Sequence, residues 1–193
     1  MVLMRTTVLI LLVILVAGLF SSCGGPKATV FINPEYNFGF IERVGVIPFR
    51  NVSREQGAAE RATSFFITEL LVAEAFDVLE PGEIQRLMVK HGVTGLSALS
   101  ADQIRGIGTD GQVQALFIGN VSEATAIRSG SSQTYSVTLD VRLVETESGR
   151  TIWSATNTEK GTSVWKSVFG GSGKSQSEVM RKCVHDVLKT LIK

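Results

Sequence analysis

From Tyr135 to Leu143 every second residue is apolar: Tyr135, Val137, Leu139, Val141 and Leu143 alternate with Ser136, Thr138, Asp140 and Arg142. Successive side chains of a strand point to opposite faces, so a run of this period buries one face only as a β-strand. Thr146-Glu147-Ser148-Gly149 then reads as a turn, and Arg150 to Thr158 as the return strand of a hairpin. A hairpin with one apolar face needs a cover. Met180, Cys183, Val184, Val187, Leu188 and Leu191 fall at i, i+3, i+4, i+7, i+8 and i+11, with Arg181, Lys182, His185, Asp186 and Lys189 on the other face. That is the stripe of an amphipathic helix laid against a core.

Upstream, Arg43 to Phe49 (RVGVIPF) is a short valine-rich run that reads as a buried first strand. Ala58 to Ala75 is helical, with Ala62, Phe66, Leu70 and Ala73 recurring at helical spacing. Phe76 to Leu79 is a short strand. Pro81 opens a helix through His91, with Ile84, Leu87 and Met88 on one face and Gly92 beyond its end. Ser100 is placed to cap another short helix. Ala115 to Gly119 (ALFIG) is a continuous apolar run, hence a central strand, and continues towards Ile127. The order β-α-β-α-α-β-β-β-α predicts an α/β domain of the α+β kind. It has a single mixed sheet, an antiparallel C-terminal meander and a closing helix.

The 193 residues suit one domain of ordinary size. Nineteen Lys and Arg against eighteen Asp and Glu lack the basic footprint of a nucleic-acid binder, so no nucleic-acid partner is expected. A hydrophobic content of 44% excludes a disordered chain. Two cysteines cannot build a disulfide framework or a four-thiolate zinc site.

The first 22 residues read as an address. Arg5 precedes the unbroken apolar run Val8 to Ala17, which is too short to span a bilayer and of the length of a secretory signal. Leu19-Phe20-Ser21-Ser22-Cys23 resembles the bacterial lipobox, with Phe20 bulkier than the usual Leu. That resemblance implies cleavage before Cys23, a diacylglycerol on its sulfur and an acyl chain on the new amino group. Several chains anchor stably where one does not. Gly24, in place of an Asp, implies sorting to the outer membrane. Residues 1–22 are thus expected to be a signal peptide, 23–42 a lipidated cysteine and tether, and 43–193 a periplasm-facing domain.

Most apparent active sites dissolve. Gly106-Ile107-Gly108-Thr109-Asp110-Gly111 fits G-x-G-x-x-G, but the dinucleotide fingerprint needs a strand before it and a helix after it, and here the order is reversed. It reads as a helix end with glycine caps. Gly170 to Ser175 looks like a P-loop but has Val168 where the motif requires its first glycine; a Gly/Ser linker is the better reading. His91 and His185 lack partners at metal spacing. Cys183 sits in an apolar stripe, as a structural thiol does. No metal, cofactor or catalytic residue is expected, Cys23 being the one modified position. Trp165, Val168 and Phe169 stand in a Gly/Ser-rich connection, either folded back on the domain or offered to a partner or membrane. Phe31, Tyr36, Phe38 and Phe40 lie on the domain or on a neighbour. Phe38 and Phe40 join Trp165, Val168 and Phe169 as interface candidates.

Three stretches resemble one family. Arg43 to Asn51 (RVGVIPFRN) resembles its first strand, Ala115 to Glu123 (ALFIGNVSE) its central strand, and Val137 to Trp153 (VTLDVRLVETESGRTIW) its strand, turn and return strand ending in Trp. The family is that of the curli secretion lipoprotein CsgG, including LpoB-type activators of peptidoglycan synthases, with a fold similar to the N-terminal domain of TolB. The resemblance covers residues 40 to 192. It implies an envelope lipoprotein that works by binding or assembling, with no catalytic residues to carry over. A CsgG-like pore needs about 9–11 residues per spanning strand in long amphipathic hairpins. The Arg128 to Gln133 turn is too short for one, and Gly161 to Ser177 lacks sustained alternation. LpoB-type proteins carry a long tether, whereas Gly24 to Glu42 reaches at most about 65 Å at ~3.4 Å per residue. The expectation is an accessory component of an envelope machine acting through protein contacts, with a homo-oligomeric secretion subunit as the alternative.

Overall fold

The long hairpin organises everything else. In the computed structural model, which describes residues 28–94, 99–129, 132–161 and 174–192, the ALFIG run opens a strand Ala115–Ser129 that pairs antiparallel with Ser132–Glu145. The register runs from Ala115 opposite Glu145 to Ser129 opposite Ser132, with a bulge between Val121 and Glu123. Arg128 and Gln133, expected to lie in the turn, are still paired. The alternation behaves as read: Tyr135, Val137, Leu139, Val141 and Leu143 are buried. Gly149 takes φ 71° in the next turn, a conformation that suits glycine, and Thr151–Lys160 returns antiparallel.

In chain order we label the strands β1 (Thr29–Ile32), β2 (Arg43–Val46), β3 (Arg50–Asn51), β4 (Asp77–Val78), β5 (Ala115–Ser129), β6 (Ser132–Glu145) and β7 (Thr151–Lys160). The helices are α1 (Ala58–Ala73), α2 (Pro81–Lys90), α3 (Ala101–Gly111) and α4 (Gln176–Leu188). The sheet order is β1-β7-β6-β5-β2-β4, with β3 also on β5. β2 runs parallel to β4 and β5, and the β5-β6-β7-β1 half is antiparallel. The fold is therefore α+β around one open mixed sheet, as the element order predicts. β2 and β3 are separated at Pro48, which has no N–H to give to a ladder.

Two elements exceed the expectation. β3 continues the first strand beyond Pro48, and β1 adds an edge strand from residues read as tether, with Thr29 opposite Thr156 and Ile32 opposite Trp153. Four residues flanked by no alternation give no period to detect, and the partner strand lies at the far end of the chain.

Each sheet face has its own core. On one face α1 and α4 lie together, burying Phe66, Leu70, Val184 and Val187 against Phe117, Leu139 and Trp153. Phe49, Phe66, Phe117 and Trp153 form a chain of edge-to-face rings with centroids 5.0–6.2 Å apart. On the other face α2 and α3 bury Ile84, Leu87, Ile104 and Ile107 over Leu116 and Val144. Gly45 permits that approach: a Cβ there would sit 2.6 Å from Ile84 Cδ1.

Candidate functional site

The aromatic segment before β2 is shaped by two asparagines. Asn33 Oδ1 accepts from the Glu35 N–H and Asn37 Oδ1 from the Gly39 N–H, both at 3.0 Å. The second caps one 3₁₀ turn, Phe38–Phe40. The turn separates the two candidate rings. Phe38 packs on the core and edge-on to Tyr36 at 5.4 Å, whereas Phe40 is 72% exposed.

Phe40 stands at the rim of an open groove of about 610 Å³, lined also by Tyr36, Arg105, Gln112, Gln114 and Glu145. Burial, reinforced by the Glu145 carboxylate, pushes the Tyr36 phenol up to about 12, so it stays a neutral donor at ordinary pH. Arg105 is engaged, bonding Asp102 at 3.0 Å and the Glu147 carbonyl at 3.3 Å. This chemistry is that of a hydrogen-bonding surface.

The titratable residues singled out from the sequence are tied into the fold. His91 Nε2 lies 2.6 Å from Asp110 Oδ2, and Lys90 pairs with the same carboxylate at 2.9 Å. Hydrogen bonds from Lys90, then His91, hold the Asp110 carboxyl below its usual value. His185 Nδ1 lies 3.1 Å from Glu69 Oε2, joining α4 to α1. Cys183 is buried, with its Sγ 3.4 Å from the Asn157 carbonyl, and burial pushes the thiol up to about 12. A thiol held so far from its thiolate is a poor nucleophile. Among the described residues no three His, Cys, Asp or Glu are grouped to hold a metal ion, and no helix is long and apolar enough to cross a membrane.

The two glycine motifs take structural places. Gly106, Gly108 and Gly111 are not helix caps; they lie inside α3, whose left-handed end is Gln112 at φ 53°. They are small because neighbours close on them: a Cβ at Gly106 would lie 2.5 Å from the His91 ring, at Gly108 2.3 Å from Thr146 Cβ, and at Gly111 2.9 Å from Leu87. At the second motif, Ser175 caps α4 by accepting from the Glu178 N–H, while Glu178 accepts from the Ser175 N–H at 2.7 Å. Lys174 faces Glu159 at 3.7 Å. The α4 N-terminus thus carries its own carboxylate cap.

Of the residues selected for function, Cys23, Trp165, Val168 and Phe169 lie outside the described residues. Phe38 and Phe40 are not brought together on one surface. Periodicity gave no sign of Val30 and Ile32, which with Phe31 form a run of exposed large apolar side chains on β1. The available signal was the absence of charge in Thr29-Val30-Phe31-Ile32.

No protein-family model and no curated protein matches the chain, but solved structures do. Two dodecamer structures of PelC from Paraburkholderia phytofirmans align with TM-scores of 0.59 and 0.61 at 16% and 17% identity, over 87% of this chain and 100% of theirs. Lipoprotein GNA1162 from Neisseria meningitidis aligns with a TM-score of 0.55 at 16% identity, over 78% of this chain and 97% of that one. The LpoB C-terminal domain from Salmonella enterica aligns more loosely, with a TM-score of 0.48 at 16% identity, over 61% of this chain and 81% of that one. At such identities the likeness is one of fold, and this α+β fold is shared with a solved bacterial lipoprotein.

Proposed function

We propose that this chain is an envelope lipoprotein. Its leader is removed, Cys23 is acylated, and the α+β domain is held at the periplasmic face of the outer membrane. There it acts without catalysis, as an assembly component in contact with an envelope protein. The observation that carries this reading is a lipobox-like Leu19-to-Cys23 segment placed ahead of a domain with the fold of lipoprotein GNA1162. The structural engagement of His91, His185 and Cys183 supports it. Several acyl chains at about 0.8 kcal/mol per buried methylene make such an anchor lasting. In cells, Cys23→Ala should move the protein from the membrane to the soluble fraction; membrane retention of the variant would overturn the anchor.

A second reading, a closed ring of copies serving secretion, is favoured by one observation: the PelC chains matched over their whole length were solved as dodecamers. Light scattering on detergent-solubilised protein separates the two. A monomer or small oligomer fits the accessory reading, and a stable ring of eight or more copies replaces it.

A further inference from the structure

The β1 edge is short, at four residues, and otherwise lacks the devices that protect a sheet edge. Natural edges are blunted by charge, proline or a bulge, because a free row of N–H and C=O groups invites pairing. Thr29-Val30-Phe31-Ile32 has none of these, and Val30, Phe31 and Ile32 are 39%, 51% and 49% exposed. Pairing with β7 sets Thr29 and Phe31 opposite Thr156 and Ser154, and Val30 and Ile32 opposite Ala155 and Trp153. Opposed residues share a sheet face, so apolar side chains project on both sides of the edge, in the form of a wedge. Among the described residues no other run of three large apolar side chains is so exposed.

Chain length names the occupant. Thr29 stands six positions after Cys23, so the strand starts no more than about 20 Å from the acylated sulfur at ~3.4 Å per residue. We infer that β1 is a second, non-covalent membrane contact: the edge strand lies in the headgroup zone of the bilayer that holds the lipid, with Val30, Phe31 and Ile32 towards the acyl chains. At that depth water still reaches the free backbone groups of the edge, whereas the hydrocarbon core would not tolerate them. The inference rests on the anchoring reading above. Its consequence is an oriented domain: β1 meets the lipid while β4, five strand spacings or about 24 Å away, faces the periplasm.

The test uses the full lipidated protein in vesicles of phosphatidylethanolamine and phosphatidylglycerol. An environment-sensitive fluorophore is attached at Phe31→Cys or, as control, at Val89→Cys on α2, where the side chain is 78% exposed. Native Cys183 is buried and does not compete for label. Quenching by lipids labelled near the headgroup should be at least threefold stronger at position 31 than at 89, with a blue-shifted emission. Equal quenching at both positions in protein that floats with the vesicles overturns the inference and leaves the anchor standing. Protein that fails to float overturns both. Unquenched emission from labelled Phe31→Cys, together with oxidation of the unlabelled variant to a disulfide dimer linked through position 31 on the vesicles, overturns the inference in favour of a second copy. Thr29→Cys, on the same strand, repeats the measurement where Phe31→Cys does not fold.

Discussion

Gly108 shows how two opposing effects meet at one residue. In the interior of α3 an alanine would be the better helix former by about 1 kcal/mol. The added methyl, however, would lie 2.3 Å from Thr146 Cβ, and Thr146 cannot swing away because its hydroxyl donates to the Val113 and Gln114 carbonyls at 2.8 and 3.0 Å. Overpacking of this kind costs about 1–3 kcal/mol, so Gly108→Ala should be destabilising by up to about 2 kcal/mol in urea titration despite its better propensity. Cys183 supplies a pH signature. Its thiol rises from 9.0 to about 12, chiefly through burial. A folded pKa above the unfolded one gives stability that is full below the unfolded value and lost as pH rises towards the folded one. Melting temperatures should therefore decline from about pH 9 upward. Cys183→Ala should remove the decline between 9 and 10 and make it shallower above 10, where Tyr36 and Tyr135 (each raised to about 12) supply the rest.

At the scale of the element, the helices were the most legible parts. The stripe from Met180 to Leu188 and the Ser100 cap are local signals that stand as read, Ser100 within a full capping box with Gln103, whereas Leu191 lies past the end of α4, half-buried against the core. A second box, Ser175 with Glu178, opens α4. Losing such a cap costs about 1 kcal/mol, so Ser175→Ala should lower the melting temperature by roughly 2–4 °C for a domain of this size. Less legible were the elements whose reason lies elsewhere in the chain. β1 exists because β7 is beside it, and the α3 glycines are required by His91, Thr146 and Leu87, none of which a G-x-G-x-x-G spacing can reveal. The candidate site suffered likewise. Phe38 and Phe40 sit two apart in sequence, which suggests a shared direction, but the Asn37 cap winds them into a turn that sends one inward and leaves the other in solvent.

Across the whole molecule, a gradient of local stability follows from the sheet order. β6 is flanked on both sides, by β5 and β7, and its apolar face is covered by α4; β1 and β4 each have one neighbour. Opening free energies track such protection. In hydrogen-exchange measurements the β6 amides should be the slowest and those of β1 and β4 among the fastest strand amides; uniform exchange across the sheet would contradict this arrangement. The halves also differ in how far the chain must travel to build them: β5, β6 and β7 follow one another, while β2 must meet β5 and β1 must meet β7 across long separations. Distant pairings form slowly. A chain delivered amino end first therefore keeps its earliest strand idle until nearly all its length has arrived. The front of the domain is sealed last, and whatever must act on the residues ahead of it has that whole interval in which to work.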